Sequence, residues 1–142
     1  MGNGLKDSLC WMFLACWLGL AGAAHAEVED PERAAREVIM SQIAAFATDD
    51  AETAWGCASD AIQAQFGSPE LFIQMVRHAY PAVYGAVSVK FRELVPHPGF
   101  MVQRLLIVDS EGRYWDSYYT LVEHKGRLRI GGVILKPAGP GI

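Results

Sequence analysis

The sequence has little positive charge. It contains 12 lysine and arginine residues against 16 aspartate and glutamate residues, so the formal net charge is −4 at pH 7. Proteins that bind nucleic acids or anionic membrane surfaces need clustered basic residues to contact phosphate groups. The composition therefore predicts that neither nucleic acid nor a negatively charged membrane surface is a partner.

Cysteine is also scarce. Cys10 and Cys16 lie within the first 26 residues, and Cys57 is the third and last cysteine of the chain. A protein without the first 26 residues would have no internal disulfide, and its stability would depend on its hydrophobic core. Cys57 is predicted to be a small buried apolar residue on a helix.

The sequence also lacks the motifs of metal, phosphate and nucleophilic chemistry. His78, His97 and His124 are spread over a helix end and two turns, and no two of them have the spacing of metal ligands. A glycine-rich phosphate loop and a Ser-His-Asp arrangement are missing as well. The sequence therefore predicts neither a metal nor a cofactor.

Residues 9–24 form an unbroken run of apolar residues, glycine and cysteine, with Lys6 before it and Ala24-His25-Ala26 after it. This is the layout of a secretory signal peptide, so we expect residues 1–26 to be removed by a cut after Ala26. The mature protein would be periplasmic or secreted, with no stable membrane anchor. The alternative is an uncleaved anchor, but the run is 16 residues long and a membrane-spanning helix needs roughly 20.

The first half of the mature chain has helical periodicity. Asp30-Pro31-Glu32 and Ser68-Pro69-Glu70 each combine a capping residue, a proline at the first helical position and an acid in the first turn. They predict helices over residues 31–47 and 69–79, with two shorter helical segments between them. The apolar face of the later helix is predicted to consist of Leu71, Phe72, Met75, Val76 and Ala79.

After Tyr84 the hydrophobic period changes to two, which indicates strands. Four strands are predicted: one starting near residue 87, and then residues 100–108, 113–123 and 127–136. Helices followed by antiparallel hairpins indicate an α+β fold, with the helices packed on an antiparallel sheet of four or more strands. We expect one domain over residues 27–136, a bulge at Gly131-Gly132 and a flexible tail over residues 137–142.

The turns between the strands predict which residues are paired. A hairpin at Lys125-Gly126 places Leu121 opposite Ile130, and the turn at residues 109–112 places Tyr119 opposite Gln103. The predicted core face holds Gln103, Leu105, Ile107, Trp115, Ser117, Tyr119, Leu121, Ile130 and Ile134. The opposite face, predicted to be a homodimer surface because it mixes apolar, aromatic and charged side chains, holds Val102, Arg104, Leu106, Val108, Tyr114, Asp116, Tyr118, Thr120 and Arg129.

The segments AAFATDDAETAW, SPELFIQMV, MVQRLLIVDSEGRYWDSYYTLV and RLRIGGVIL resemble the nuclear transport factor 2-like superfamily, also called SnoaL-like or cystatin-like. The FGSPE, MVR and YP motifs and the VQR segment are most similar to a bacterial exported family known only as a domain of unknown function. The resemblance implies a curved sheet wrapped around the helices like a cone, with an apolar cavity at its open end. The paired catalytic acids and the His-Asp and Tyr-Asp pairs of the superfamily's enzymes have no counterpart here.

Polar and aromatic side chains near the predicted core face are the candidates for a site. The ligand-binding candidates are Trp55, Tyr80, Tyr84, Gln103, Trp115, Ser117 and Tyr119. The alternative for the polar ones is hydrogen bonding to loop backbone and helix ends. Asp116 and Tyr119 are the candidates for acid–base catalysis, although an ion pair between Asp116 and Arg104 across the strands is favoured. Asp49 and Asp50 are predicted to cap a helix.

Three functions remain open at this point. The favoured one is an exported, non-catalytic module that binds a small apolar ligand in a cavity or serves as an accessory domain. The second is an acid–base enzyme of the isomerase or dehydratase type that uses a carboxylate or tyrosine in the cavity. The third is a purely structural homodimeric interaction module. A cavity lined by an unpaired Asp116 would favour the enzyme, and the absence of a cavity would favour the structural module.

Overall fold

A computed structural model describes residues 30–139. The predicted signal peptide and the last three residues of the predicted tail lie outside this range. Five helices come first, and their bounds are α1 Pro31–Ala47, α2 Ala51–Gly56, α3 Asp60–Phe66, α4 Pro69–Ala79 and α5 Pro81–Tyr84. None of the helices within residues 30–139 is long and apolar enough to cross a membrane.

The predicted capping residues start the two longest helices. The Asp30 side chain accepts a hydrogen bond from Arg33 N at 3.2 Å, and Ser68 Oγ accepts one from Leu71 N at 3.3 Å. Each bond satisfies an amide that has no partner inside the helix. Gly67, at φ 78°, ends α3 just before α4 begins, a backbone conformation that favours glycine. The sequence thus places α4 correctly.

Four antiparallel strands follow in the order β1-β2-β3-β4: β1 Ser88–His97, β2 Phe100–Val108, β3 Tyr114–His124 and β4 Arg127–Pro137. This confirms the α+β fold. The predicted register is confirmed as well, since Tyr119 pairs with Gln103 and Leu121 with Ile130. The first residues of the predicted tail are tied to the sheet. Pro137 is the last residue of β4, and Ala138 N donates a hydrogen bond to Tyr114 O at 2.9 Å.

Ile134 lies on the outer face of the sheet, and its prediction as a core-face residue is wrong. The register between β3 and β4 shifts at Thr120/Leu121, opposite the glycine pair, so Val133 pairs with Tyr119 and Ile134 with Tyr118. An extra residue at a bulge reverses which side chains point to which face for the rest of the strand. Ile134 is consequently 59% exposed, while Val133 packs against the core.

The core lies between the helices and one face of the sheet. Ile39 and Phe46 of α1, Phe72 and Val76 of α4, and Leu105 of β2 are among its buried members. The predicted face of α4 is wrong at its ends, since Leu71 is 55% exposed and Ala79 is also exposed, whereas Ile73 is buried. The helix packs against α2, and that contact selects the side of α4 that carries Phe72 and Ile73.

A short segment after α2 adds one bridged residue to the edge of the sheet. Ile130 N donates to Cys57 O, and Ser59 N donates to Ile130 O, both at 2.8 Å. Ala58 and Ile130 thereby form a parallel bridge at the outer edge of β4. Cys57 is buried, as predicted. The bridge ties the start of α3 to the bulged strand.

Candidate functional site

A cavity of about 240 Å³ lies between the helices and β4. Six of its lining residues are apolar or aromatic side chains of α1, α3 and α4: Phe46, Ile62, Phe66, Phe72, Met75 and Val76. Tyr80, between α4 and α5, and Val83 of α5 line it as well, and residues 130–133 of β4 line the side formed by the sheet. The cavity is thus built where four helices meet the bulge of the edge strand.

Phe72 is the centre of the aromatic wall. Its ring centroid lies 6.3 Å from that of Phe46, 6.1 Å from that of Phe66 and 5.8 Å from that of Trp55. Tilted and edge-on pairs at these separations are favourable, and together they hold the ring in place. The position of Phe72 follows from the start of α4 at Ser68, which fixes the direction in which residue 72 faces.

On the sheet side the cavity is lined partly by backbone, since two of its four lining residues in β4 are Gly131 and Gly132. A Cβ atom at Gly131 would lie 3.5 Å from the Val122 side chain, and a Cβ atom at Gly132 would have no neighbour within 4 Å. The bulge brings this bare stretch of β4 to the cavity. The predicted bulge is therefore part of the site, a role that the strand pattern alone does not reveal.

Gln42 is the buried polar residue of the cavity. It is 3% exposed, and its Nε2 donates to Ala54 O at 3.1 Å. Its Oε1 accepts no hydrogen bond from any residue in the range 30–139. Gln65 also lines the cavity but is exposed, which places it on the side open to solvent. Among the described lining residues none carries a formal charge at pH 7.

Of the seven ligand-binding candidates, the structure brings only Tyr80 to this cavity. Trp55 lies behind the wall, against Phe72. Tyr84 is occupied by helix packing, since its hydroxyl accepts a hydrogen bond from Arg77 Nη2 at 3.0 Å and its ring lies 5.7 Å from that of Phe46. Trp55 and Tyr84 thus make packing contacts between helices and do not line this cavity.

Gln103 is structural, as the alternative interpretation held. Its Nε2 donates to Arg92 O and Arg104 O, both at 3.0 Å, and to Glu93 O at 3.3 Å. The register of β1 shifts between Phe91 and Leu94, next to the carbonyl groups that Gln103 contacts. Gln103 supplies a donor to them from inside the sheet.

Ser117 and Tyr119 are fully buried beneath the helices and do not line this cavity. Neither hydroxyl has a hydrogen-bond partner within residues 30–139. Burial raises the pKa of Tyr119 above its ordinary value, because the phenolate would have no water around it. The phenol is therefore neutral and has no route to a substrate in the cavity.

Asp116, the other catalytic candidate, lies on the outer face of the sheet. Arg104 Nη2 donates to its Oδ1 at 3.1 Å, and Arg104 Nη1 donates to Glu93 at 3.1 Å. The hydrogen bond to Glu93 raises the pKa of Arg104 most, and the hydrogen bond to Asp116 raises it further. The predicted ion pair is confirmed, and the carboxylate does not reach the cavity.

Trp115 belongs to a polar network at the β2–β3 turn. Its Nε1 donates to Asp109 Oδ2 at 2.9 Å, and Arg113 Nε donates to the same oxygen at 2.8 Å. Asp109 Oδ1 accepts from Glu111 N and Arg113 N. Sequence reasoning identified the turn but missed that Asp109 is buried and organises it.

The two acids after α1 have different roles. Asp50 caps α2, as predicted, by accepting a hydrogen bond from Thr53 N at 3.1 Å. Asp49 was also predicted to cap that helix, but it pairs with Arg77 at 3.1 Å instead. Its left-handed backbone, at φ 54°, directs the side chain away from α2. No three His, Cys, Asp or Glu side chains within residues 30–139 are grouped so that they could hold a metal ion.

Comparisons with known proteins identify a family but no activity. A family model described as a domain of unknown function (DUF4864) matches residues 29–140. The chain is also similar to the crystal structure of an NTF-2 like protein of unknown function from Burkholderia xenovorans LB400, with a TM-score of 0.48 and 13% sequence identity. That match covers 78% of this chain and 89% of the other chain. No curated protein matches the chain.

Proposed function

Since the chain belongs to the family of the domain of unknown function DUF4864, whose description assigns no activity, we propose a role from its own cavity. The protein binds a small apolar molecule, as a non-catalytic or accessory module. The observation that carries this proposal is an uncharged cavity of about 240 Å³ in a small domain. Cavities lined mainly by apolar side chains with a few polar groups are typical ligand sites.

The chemistry of the lining supports binding over acid–base catalysis. A general acid or base has to lie within hydrogen-bond reach of the bond it acts on. The described lining contains no carboxylate, imidazole, thiol or amine, and its one titratable side chain is the Tyr80 phenol. The sequence candidates Asp116 and Tyr119 both lie elsewhere, one on the outer face and one inside the core.

Ligand binding can be tested with indene, a rigid apolar molecule. We expect indene to raise the melting temperature of the protein with saturation, because a ligand at ten times its Kd stabilises the folded state by about 1.4 kcal/mol. In Val76→Trp the added ring occupies the cavity, so the shift should fall at least severalfold. Differential scanning fluorimetry measures both.

The matched control is Val87→Trp, at an exposed position that does not line the cavity. This variant should respond to indene as the wild-type protein does. An equal response in Val76→Trp and Val87→Trp would mean that indene binds elsewhere, and the absence of any response in the wild-type protein would remove the proposal.

We also propose that the protein is exported. The support is the apolar run over residues 9–24 followed by Ala24-His25-Ala26. The N-terminal sequence of protein recovered from the periplasm or medium of a bacterial expression host should begin at Glu27. Recovery of the chain only from the membrane fraction, with residues 1–26 retained, would favour the uncleaved anchor.

The outer face of the sheet is proposed as a homodimer surface. Tyr118 lies at its centre, opposite both Arg104 and the exposed Ile134. The Arg104 and Lys136 cations lie 6.0 and 5.5 Å from its ring centroid. Half-buried aromatic and arginine side chains of this kind are enriched in interfaces.

Tyr118→Glu should convert a dimer into a monomer in light scattering, because it removes an aromatic ring from the proposed interface and would bury a charged carboxylate there. The cations beside position 118 should allow the variant to fold. The control Val87→Glu, at an exposed position outside this face, should leave the mass unchanged. A wild-type mass equal to that of one chain would exclude the dimer.

A further inference from the structure

We propose that the cavity selects neutral molecules with a hydrogen-bond donor and about ten non-hydrogen atoms, and that Gln42 Oε1 accepts that hydrogen bond. The inference rests on the proposed function, since it names the class of ligand for the same cavity. It goes further by assigning the recognition of one polar group to one atom of a buried side chain.

The expected size of the ligand follows from the volume of the cavity. An engineered cavity of about 150 Å³ in another protein holds benzene, with its six carbon atoms. At the same packing, 240 Å³ corresponds to about ten non-hydrogen atoms. A bicyclic aromatic compound fits this limit, whereas a steroid or a long-chain fatty acid exceeds it.

The requirement that the ligand carry a hydrogen-bond donor follows from how the Gln42 side chain is held. Ala54 O can only accept a hydrogen bond, so the group 3.1 Å from it has to be the amide nitrogen. The amide oxygen then takes the other position, on a side chain that lines the cavity and is 3% exposed. It has no donor within residues 30–139. A ligand that supplies an N–H or O–H group would satisfy this oxygen, and an apolar ligand would cover it without a partner.

The requirement that the ligand be uncharged follows from the other residues that line the cavity. A carboxylate or an ammonium group loses its hydration on entering an apolar cavity and needs an opposite charge in return. The described lining residues offer none. Cations of α4 such as Arg77 are exposed on another side of the helix, where Arg77 pairs with Asp49. Desolvation therefore disfavours a charged group inside the cavity.

Three compounds of nearly identical shape separate the hydrogen bond from the fit. Indole carries an N–H donor, indene has no polar group, and benzofuran carries only an acceptor oxygen. Isothermal titration of the purified protein should give a Kd for indole about three- to tenfold lower than for indene, the range expected from one net hydrogen bond. Benzofuran should bind no better than indene, and indole-2-carboxylate should bind far more weakly than indole.

Two variants assign the effect to Gln42. In Gln42→Leu the preference for indole over indene should disappear while indene still binds. In Gln65→Leu, which alters the other glutamine of the lining, the preference should remain. If Gln42→Leu does not fold, as judged by circular dichroism, Gln42→Met takes its place.

The outcomes distinguish the two levels of the proposal. Equal affinities for indole, indene and benzofuran in the wild-type protein would overturn the selectivity and leave the cavity as an apolar site. A preference for indole that persists in Gln42→Leu and is lost in Gln65→Leu would overturn the role of Gln42. Tight binding of indole-2-carboxylate would overturn the restriction to neutral ligands. No binding of any of these compounds would remove the proposed function together with this inference.

Discussion

Replacing Phe72 by alanine is expected to lower the free energy of unfolding by about 3–5 kcal/mol, the cost of removing a buried aromatic ring and leaving a void. Phe72 is buried and has the rings of Phe46, Phe66 and Trp55 around it at centroid distances of 5.8–6.3 Å. These rings belong to three other helices, so the loss affects the whole helical layer. Urea denaturation of the wild-type and variant proteins measures the difference.

The neighbouring residue on the same helix is the control. Leu71 is exposed, so Leu71→Ala should change the free energy of unfolding by no more than about 0.5 kcal/mol. Because Phe72 also lines the cavity, its removal enlarges the space, and Phe72→Ala should accept larger aromatic compounds such as naphthalene. Similar losses in the two variants would contradict the assignment of Phe72 to the core.

The fold could be predicted where the determining interactions are local. The Ser68-Pro69 start, the Lys125-Gly126 hairpin and the turn at residues 109–112 each set a boundary or a register within a few residues. The error at Ile134 arises from an interaction that is not local. Glycines mark a bulge in the sequence, but the residue at which the side chains change faces depends on pairing with β3.

The site was harder to predict because a cavity arises from the packing of several elements. Phe46, Phe66 and Phe72 lie on apolar helical faces that are the same whether the helices close on each other or leave a space. Gln42 could have been identified as a polar residue on the buried face of α1, between Ile39 and Phe46. Strand alternation pointed instead to Gln103, Ser117 and Tyr119, which do not line this cavity.

The second large effect is expected at Asp109, whose replacement by asparagine should cause the largest fall in melting temperature of any substitution in the β2–β3 turn. Oδ1 accepts two backbone hydrogen bonds, and Oδ2 accepts from Arg113 Nε and Trp115 Nε1. An asparagine can keep the first pair, but its amide nitrogen would then face two donors. Arg113 Nε and Trp115 Nε1 would lose their acceptor.

The same carboxylate should make the protein sensitive to acid. Burial alone would raise the pKa of Asp109, but hydrogen bonds from Trp115, Arg113 and the Glu111 amide hold it well below its ordinary value. A carboxyl group whose pKa is lowered on folding stabilises the protein at pH values above its unfolded pKa of about 3.9. That contribution is lost as the pH falls below this value towards the folded pKa.

The difference in melting temperature between the wild-type protein and Asp109→Asn should therefore be largest at neutral pH and shrink at about pH 3 and below. Asparagine does not titrate, so the pH-dependent part of the difference reports on Asp109. Glu111→Gln changes an exposed carboxylate of the same turn and should have little effect at either pH, because exposed ion pairs contribute little to stability. A difference for Asp109→Asn that stays constant from pH 7 to pH 3 would mean that the hydrogen bonds at this turn do not depend on the charge of Asp109.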